Sequence, residues 1–426
     1  MIVVMKKSII VFIILTGIMQ YAGAIDRAAR SDTSVSAEIR LQLGDFKNQG
    51  LLHFPKSVFR FYRQHTFQPA WVNGVQEQKR TWEAVLMLNC VLQFGLCHAD
   101  YHPKEIDYAR LHVILEHPEK VNNNDKARYD LLITDALISF INHLHYGKLN
   151  PYFTASKIDA RVDTSFIAGK ILSRALTQPH FMSAITAVQP GAKSYIELEE
   201  QMRNLTQFQE DCAGLPDSAV RKMAINLERL RWIATTQHTY LQLNIPAYKL
   251  TFHLPDTNFE FRAIVGAPLT PTPQLNSALT DFTTSSKLKI SRGISELSGA
   301  FNPKGVIYFW FKNKYGISIC GRPERDLFDP SERNLSQGEI KIEDGEHLAA
   351  LLLKADGRSH EIADLKRAIN DYAIKNYILN TPIPLKIIYI TCEVWRNGII
   401  THPDIYNLDN KLEMALYNAD QSLVSN

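Results

Sequence analysis

In the stretch DLLITDALISFINHLHYGKLNP, the apolar residues Ile133, Leu137, Phe140, Ile141 and Leu144 recur at the spacing that puts them on one helical face. Gly147 then supplies a C-terminal stop and Pro151 follows it. TWEAVLMLNCVLQFGL predicts a second apolar helix from Thr81 to Leu96, ended near Gly95. RKMAINLERLRWI, Arg221–Ile233, predicts a third, with Met223, Leu227, Leu230 and Trp232 turned inward. The whole of 36–236 reads as helical.

After Gln237 the period changes. TYLQLNIPAYKLTFHL alternates polar and apolar residues, which is strand behaviour. GVIYFWFKN and KYGISICG form a predicted hairpin, and Pro and Gly punctuate VGAPLTPTP between Val265 and Pro273. PLKIIYITCEVWRNGIITHP contains two predicted strands joined at Asn397-Gly398, a strong hairpin turn signal. The expected fold class is therefore α+β: a helical half followed by a mixed, β-rich half. There are no internal repeats or low-complexity segments.

The N-terminus departs from both patterns. Lys6 and Lys7 precede the apolar run Ser8–Met19, and the small residues Ala22-Gly23-Ala24 follow. That order is a secretory signal peptide, expected to span 1–24, and the run is too short to cross a bilayer comfortably. No transmembrane helix is expected after cleavage.

The chain has 426 residues, 45% hydrophobic and 10% aromatic, enough to bury a sizeable core in two or more domains. Its net charge of +3, without a basic run, argues against a nucleic-acid partner. Five cysteines, Cys90, Cys97, Cys212, Cys320 and Cys392, show no disulfide framework; buried free thiols are the preferred reading, with a pair such as Cys90–Cys97 as the alternative. Cys97, His98 and His102 in CHADYH have the composition of a metal site. Capping and packing at a helix end explain them more simply, and no metal or cofactor is expected. His143 and His145 fall on different faces of one helix and do not make a ligand pair. The run Tyr308, Phe309, Trp310, Phe311 alternates along a strand, so core packing is expected, with a glycan-stacking face as the alternative.

One loop looks built to present a reactive side chain. In SERNLSQGEIKIEDGEHLAALLL, Arg333, Ser336 and Gly338 precede a predicted strand at Ile340–Ile342 and a helix from about Asp344. Glu339 stands where a nucleophile would.

Taken together, the motifs FYRQHTFQPAWV, GLCHADYHPKEI, DLLITDALISFINHLHYGKLNP, NLERLRWI, LNIPAYKL, VGAPLTPTP, NPKGVIYFWFKN, the loop and IPLKIIYITCEVWRNGIITHPDIYNLD resemble the large L,D-transpeptidases, over most of the chain and in order. That resemblance implies a helical scaffold domain over 25–236 and a YkuD-type domain over 237–426, acting on peptidoglycan in the periplasm. The larger members carry a peptidoglycan-binding module before their equivalent of NLERLRWI; here QMRNLTQFQEDCAGLPDSAVRKMAI leaves too little chain for it. The family's signature is a His-Gly-Thr-Pro-like stretch followed by Ser-His-Gly-Cys-Ile-Arg-Val. Its Cys attacks a stem-peptide carbonyl, and a His lowers the thiol pKa or takes its proton.

This chain departs at each chemical position. Cys320 stands for the first His, Gln337 for the second, Glu339 for the Cys and Lys341 for the Arg. Gly321, Pro323, Arg333, Ser336, Gly338 and Ile340 are kept, so the expected binding groove is Gly321, Arg322, Arg333, Ser336 and Gly338. A carboxylate attacking an amide would give a mixed anhydride, a poor intermediate. A Glu339 paired with Arg333, Lys341 or Arg322 is the plainer expectation. Cys320 has no His beside it in sequence, and Ser336 reads as a turn hydroxyl. The resemblance thus implies a pseudoenzyme whose partner is a peptidoglycan stem peptide or another wall enzyme. A residual enzyme acting through Glu339 or Cys320 is the alternative.

Overall fold

The computed structural model describes residues 34–72, 74–206, 216–233, 237–284, 306–396 and 398–417. The expected signal segment, Cys212 and Asn397 lie outside them. The chain divides into two compact units. One is Met1–Gln189 with Arg203–Pro216, and the other is Pro190–Met202 with Asp217–Asn426. The helix Ser218–Trp232 belongs to the second unit, so that unit takes in residues ahead of the change of sequence pattern at Gln237.

The first unit is helical, as its sequence period predicts. Its centre is the helix Asn123–Tyr146, opened by the Asn122 side chain accepting from Asp125 N at 2.8 Å and closed at Gly147, whose φ is 89°. All five residues of the predicted face are buried, but so are Asp130, Thr134, Asp135, Ser139 and Asn142 on the others. A helix apolar on one side only would leave these in water. Here neighbouring segments use several of them as hydrogen-bond anchors instead. Asp135, for example, accepts from His53 N at 3.0 Å and Phe54 N at 2.9 Å, and Asp159, outside this helix, accepts from Lys56 N at 3.1 Å and Ser57 N at 2.7 Å, satisfying the first turn of the helix Pro55–Gln64. The predicted Thr81–Leu96 helix is two elements. An α-helix ends at Asn89, a short 3-10 helix runs Val91–Phe94, and Gly95 turns with φ 66°. The change of pitch at Cys90 keeps Val91, Leu92 and Phe94 buried.

The second unit is built on a closed barrel. Its strands are β1 (Tyr240–Asn244), β2 (Lys249–His253), β3 (Asn258–Ile264), β4 (Leu275–Thr284), β5 (Ile307–Phe311), β6 (Ile319–Arg322), β7 (Ile340–Glu343) and β8 (Asn376–Ile388). The order around the barrel is β1-β2-β3-β7-β6-β5-β4-β8, closed by a parallel β1–β8 pair that sets Leu241 beside Leu385. β5 and β6 form the predicted antiparallel hairpin, and β6 and β7 run parallel. The C-terminal stretch holds three strands rather than two. β8 ends at Ile388, and Ile390 N and Thr391 N turn to the side chains of Asn244 and Asn226. β9 (Cys392–Trp395) and β10 (Gly398–Thr401) then pair as a separate ribbon across the predicted turn. Side chains buried with zero or near-zero exposure, such as Leu243, Phe252, Phe309, Ile342 and Leu385, fill the barrel with Leu348, Leu352 and Leu365 from two helices.

Lys386 is the costly member of this unit. It is buried on β8, its ammonium donates to Ile233 O, and it lies 5.7 Å from the Tyr240 ring centroid. Burial pulls its pKa down to about 8. A depressed lysine pKa means that the fold prefers the neutral amine. This contribution is fully present above the unfolded value of 10.5 and is lost as pH falls through about 8. Lys386→Met is therefore expected to raise stability at pH 7 by about 1–2 kcal/mol, with the advantage shrinking towards pH 10. Denaturant midpoints of both proteins at the two pH values test this. An equal difference at both would sink it.

Candidate functional site

The loop around 333–339 is held by backbone hydrogen bonds. Residues 333–336 run beside 265–267: Val265 N donates to Arg333 O at 2.8 Å, Ser336 N to Val265 O at 3.0 Å, and Ala267 N to Ser336 O at 2.9 Å. The Ser336 hydroxyl, buried, donates to Glu339 O at 2.5 Å, the turn role expected of it. Gly338 sits at φ 98°, a conformation that strains any side chain, and its carbonyl accepts from Thr272 Oγ1 at 3.1 Å. Thr272 Oγ1 accepts in turn from Gly266 N at 2.8 Å, and the Tyr406 hydroxyl donates to Gly266 O at 2.7 Å. A Cβ on Gly266 would lie 2.1 Å from Thr270 O and 3.0 Å from Gly338 Cα, so only glycine lets the two strips approach. Gly266, Thr272 and Tyr406 are thus part of the loop's support. In the sequence they showed only as punctuation in VGAPLTPTP and as an unremarkable tyrosine.

The strands set the rest in register. Tyr308, Cys320 and Lys341 lie side by side on β5, β6 and β7, with Arg322 beside Glu343. Ile307, Phe309, Phe311, Ile319, Ile340 and Ile342 point to the core, so these groups occupy the other face. Phe309 and Phe311 pack as the alternation predicts, whereas Tyr308 and Trp310 share the outer face with their rings stacked at 5.8 Å. Gly321 is structural: a Cβ there would meet Gly345 Cα at 2.5 Å, where the helix Gly345–Ala355 begins. The Asp344 side chain caps that helix.

Three of the four positions singled out in the sequence, Cys320, Glu339 and Lys341, come to one neighbourhood. Glu339 pairs with Lys341 at 2.9 Å, both side chains about a third exposed. Arg322 is held by Glu324, with Nη2 to Oε1 at 2.8 Å and Nε to Oε2 at 3.1 Å. Arg333 is half-buried. Its guanidinium donates to the carbonyls of Pro330, Ala263 and Tyr248, and the pairing with Glu339 named as one possibility goes to Lys341 instead. Gln337 is exposed. Cys320 is 6% exposed, and burial pushes its thiol up to about 11, with Arg322 and Lys341 pulling down and Glu339 pushing up. Burial and the neighbouring thiol push Tyr308 up to about 12. Among the described residues, the charged groups acting on Cys320 are Arg322, Glu339 and Lys341, and none is an imidazole.

Elsewhere, Cys90 and Cys97 do not pair with one another, and Cys97, Cys320 and Cys392 are free thiols. His143 Nδ1 meets the Tyr101 hydroxyl at 2.9 Å, whereas His145 Nδ1 meets Val188 O at 3.0 Å and its ring stacks on Phe166 at 3.7 Å. The two histidines serve different partners, as their spacing requires.

Residues 56–202 match a family described as "Scaffold domain". Along 94% of the chain, and 87% of the relative, there is 20% identity to a Haemophilus influenzae protein named "Putative L,D-transpeptidase". The chain is thus similar to an L,D-transpeptidase along most of its length. A solved L,D-transpeptidase from Mycobacterium smegmatis is similar at 14% identity over 35% of this chain and 58% of that one; its TM-score of 0.20 carries no fold comparison. In this L,D-transpeptidase-like chain no helix among the described residues is long and apolar enough to cross a membrane.

Proposed function

We propose that this chain is an exported, L,D-transpeptidase-like protein of peptidoglycan metabolism that no longer performs transpeptidation. Its loop serves as a binding surface for peptidoglycan stem peptides. One observation supports this reading: Glu339, at the position that the resemblance assigns to the nucleophile, is already paired with Lys341, beside a thiol whose pKa near 11 keeps it protonated. In subtilisin, where a nucleophile and its base have been removed one at a time, either loss alone costs about a millionfold in turnover. Both are replaced here.

The binding half of the proposal rests on what is kept. The Gly266–Thr272–Gly338 frame holds the loop backbone in place. The Glu339–Lys341 pair is solvated and worth less than about 1 kcal/mol, so a stem carboxylate can take Lys341 from Glu339 at little cost. The basic and apolar N-terminal segment supports export to the periplasm.

Mass spectrometry of the mature protein incubated with disaccharide-tetrapeptide tests the proposal. The expected result is no released D-Ala, no trimmed stem and no cross-linked dimer, with binding to intact sacculi that weakens in Lys341→Ala. Product that disappears in Glu339→Gln or Cys320→Ser would replace this reading with a residual enzyme.

A further inference from the structure

Three side chains far apart in sequence meet in the helical unit. Asp135 lies on the central helix, its side chain 0% exposed. Its Oδ1 accepts from Phe54 N at 2.9 Å and its Oδ2 from His53 N at 3.0 Å. The same Oδ2 lies 2.8 Å from His102 Nε2 and 3.6 Å from His53 Nδ1. The two imidazoles are stacked, with centroids 4.8 Å apart and planes within 9° of parallel. One ligand atom from each of the three residues falls within 4.8 Å of the others. His102 also holds φ 54°, a conformation that costs a non-glycine residue roughly 1–3 kcal/mol and persists only where its surroundings impose it.

We propose that His53, His102 and Asp135 form a binding site for a divalent transition-metal ion of the zinc class. The donor set selects the ion: two imidazole nitrogens and one carboxylate oxygen suit zinc and its neighbours, whereas calcium and magnesium take oxygen ligands. Bonds of about 2.0–2.2 Å allow two ligand atoms of one ion to be at most about 4.2 Å apart. The His102–Asp135 and His53–Asp135 separations already meet that limit. What remains is a small swing of the His53 ring, which is free to make it: its side chain is 45% exposed, while its backbone N–H stays anchored on Asp135.

The support around the ligands fits the role. Phe54 N–H orients the Asp135 carboxylate from the far oxygen, the function of an outer hydrogen bond at a metal site. His102, 11% exposed, is held by its backbone turn, in which Glu105 N and Ile106 N both donate to its carbonyl. On metal binding, the Nε2–H contact to Asp135 gives way to Nε2 coordination, with the His102 proton carried on Nδ1. The open side, next to His53, leaves the remaining coordination to solvent. Such an ion would tie the segment at 53–54, the turn at 102 and the central helix together, so binding reads out as stability. The site involves none of the loop residues of the barrel, so it stands or falls independently of the proposed function.

Calorimetric titration of the untagged chain with zinc chloride, paired with thermal melts with and without the ion, tests this. The expected result is one ion per chain, a melting midpoint that rises with zinc, and an affinity at least about tenfold weaker in His53→Ala. His53→Ala is the informative variant because its exposed ring leaves the His102–Asp135 hydrogen bond in place, so its melt in chelator should match the native one. Cys97→Ser is expected to bind as the native chain does. No uptake, uptake unchanged in His53→Ala, or uptake lost in Cys97→Ser would each overturn the proposal and leave the three residues as a hydrogen-bonded brace.

Discussion

Asp130→Ala should lower the stability of the helical unit by about 4 kcal/mol, roughly a thousandfold in its folding constant. The reason is the number of donors left behind. Asp130 is fully buried on the central helix and accepts from Ala70 N at 3.0 Å, Trp71 N at 2.8 Å, Val72 N at 3.1 Å and the Tyr62 hydroxyl at 2.5 Å. Each buried donor left unsatisfied costs about 1–3 kcal/mol, less when several share one relaxation. The Tyr62 hydroxyl retains Thr134 Oγ1 at 2.7 Å, but the three amides lose the acceptor they share. The segment they belong to carries Trp71, itself fully buried, with its indole N–H on Thr134 Oγ1 at 2.8 Å. Losing Asp130 therefore releases an aromatic anchor as well as a carboxylate. Asp130→Asn keeps the volume but turns an amide donor toward amide donors, so an intermediate loss is expected.

The loss should also depend on pH. Burial lifts the Asp130 pKa to about 6, against the four hydrogen bonds that pull it down. A raised carboxyl pKa means that the contribution is fully present below the unfolded value of 3.8 and is lost as pH rises through about 6. The difference between native and Asp130→Ala proteins is thus expected to be larger at pH 4.5 than at pH 7.5. Urea unfolding followed by circular dichroism at both pH values measures it. A loss below about 1 kcal/mol would show that water replaces the carboxylate.

Much of this was legible because it is local. The helices of the first unit follow from apolar spacing, the strand hairpin β5–β6 from alternation, and the β9–β10 ribbon from Asn397-Gly398. The strand and capped helix after the loop fall where the pattern puts them, at Ile340–Glu343 and Gly345–Ala355. What escaped is non-local or hidden by chemistry. Leu241 against Leu385 closes the barrel, and nothing near either residue announces the other. Asp130 and Asp135 read as the polar side of an amphipathic helix, yet they are its most buried anchors, because their partners lie some sixty to eighty residues earlier. Gly266 matters through a contact with a glycine seventy-two positions on, Gly338. Around the loop, the residue types settled the chemistry but not the pairing: Lys341 takes Glu339, while Arg333 is consumed by backbone carbonyls.

That pairing leads to the last prediction. Glu339→Cys should produce a thiol that reacts with iodoacetamide at least about a hundredfold faster than Cys320 in the same chain. The two positions are close, so the contrast is one of environment. Cys320, with a pKa near 11, is almost wholly protonated at pH 7.5. A thiol at 339 would replace a carboxylate that lies 2.9 Å from the Lys341 ammonium and is a third exposed, a setting that holds its pKa at or below the ordinary value of about 8.5. The gap of about 2.5 pKa units gives some 300-fold more thiolate, offset by roughly tenfold because a less basic thiolate is a weaker nucleophile. Burial of Cys320 supplies the rest by denying the reagent access. Peptide mapping after timed alkylation reads both sites at once and separates them from Cys90, Cys97, Cys212 and Cys392. Equal rates would mean that Lys341 does not stay beside position 339, and with it would go the account of Glu339 as a paired carboxylate in a loop that still presents its residue to solvent.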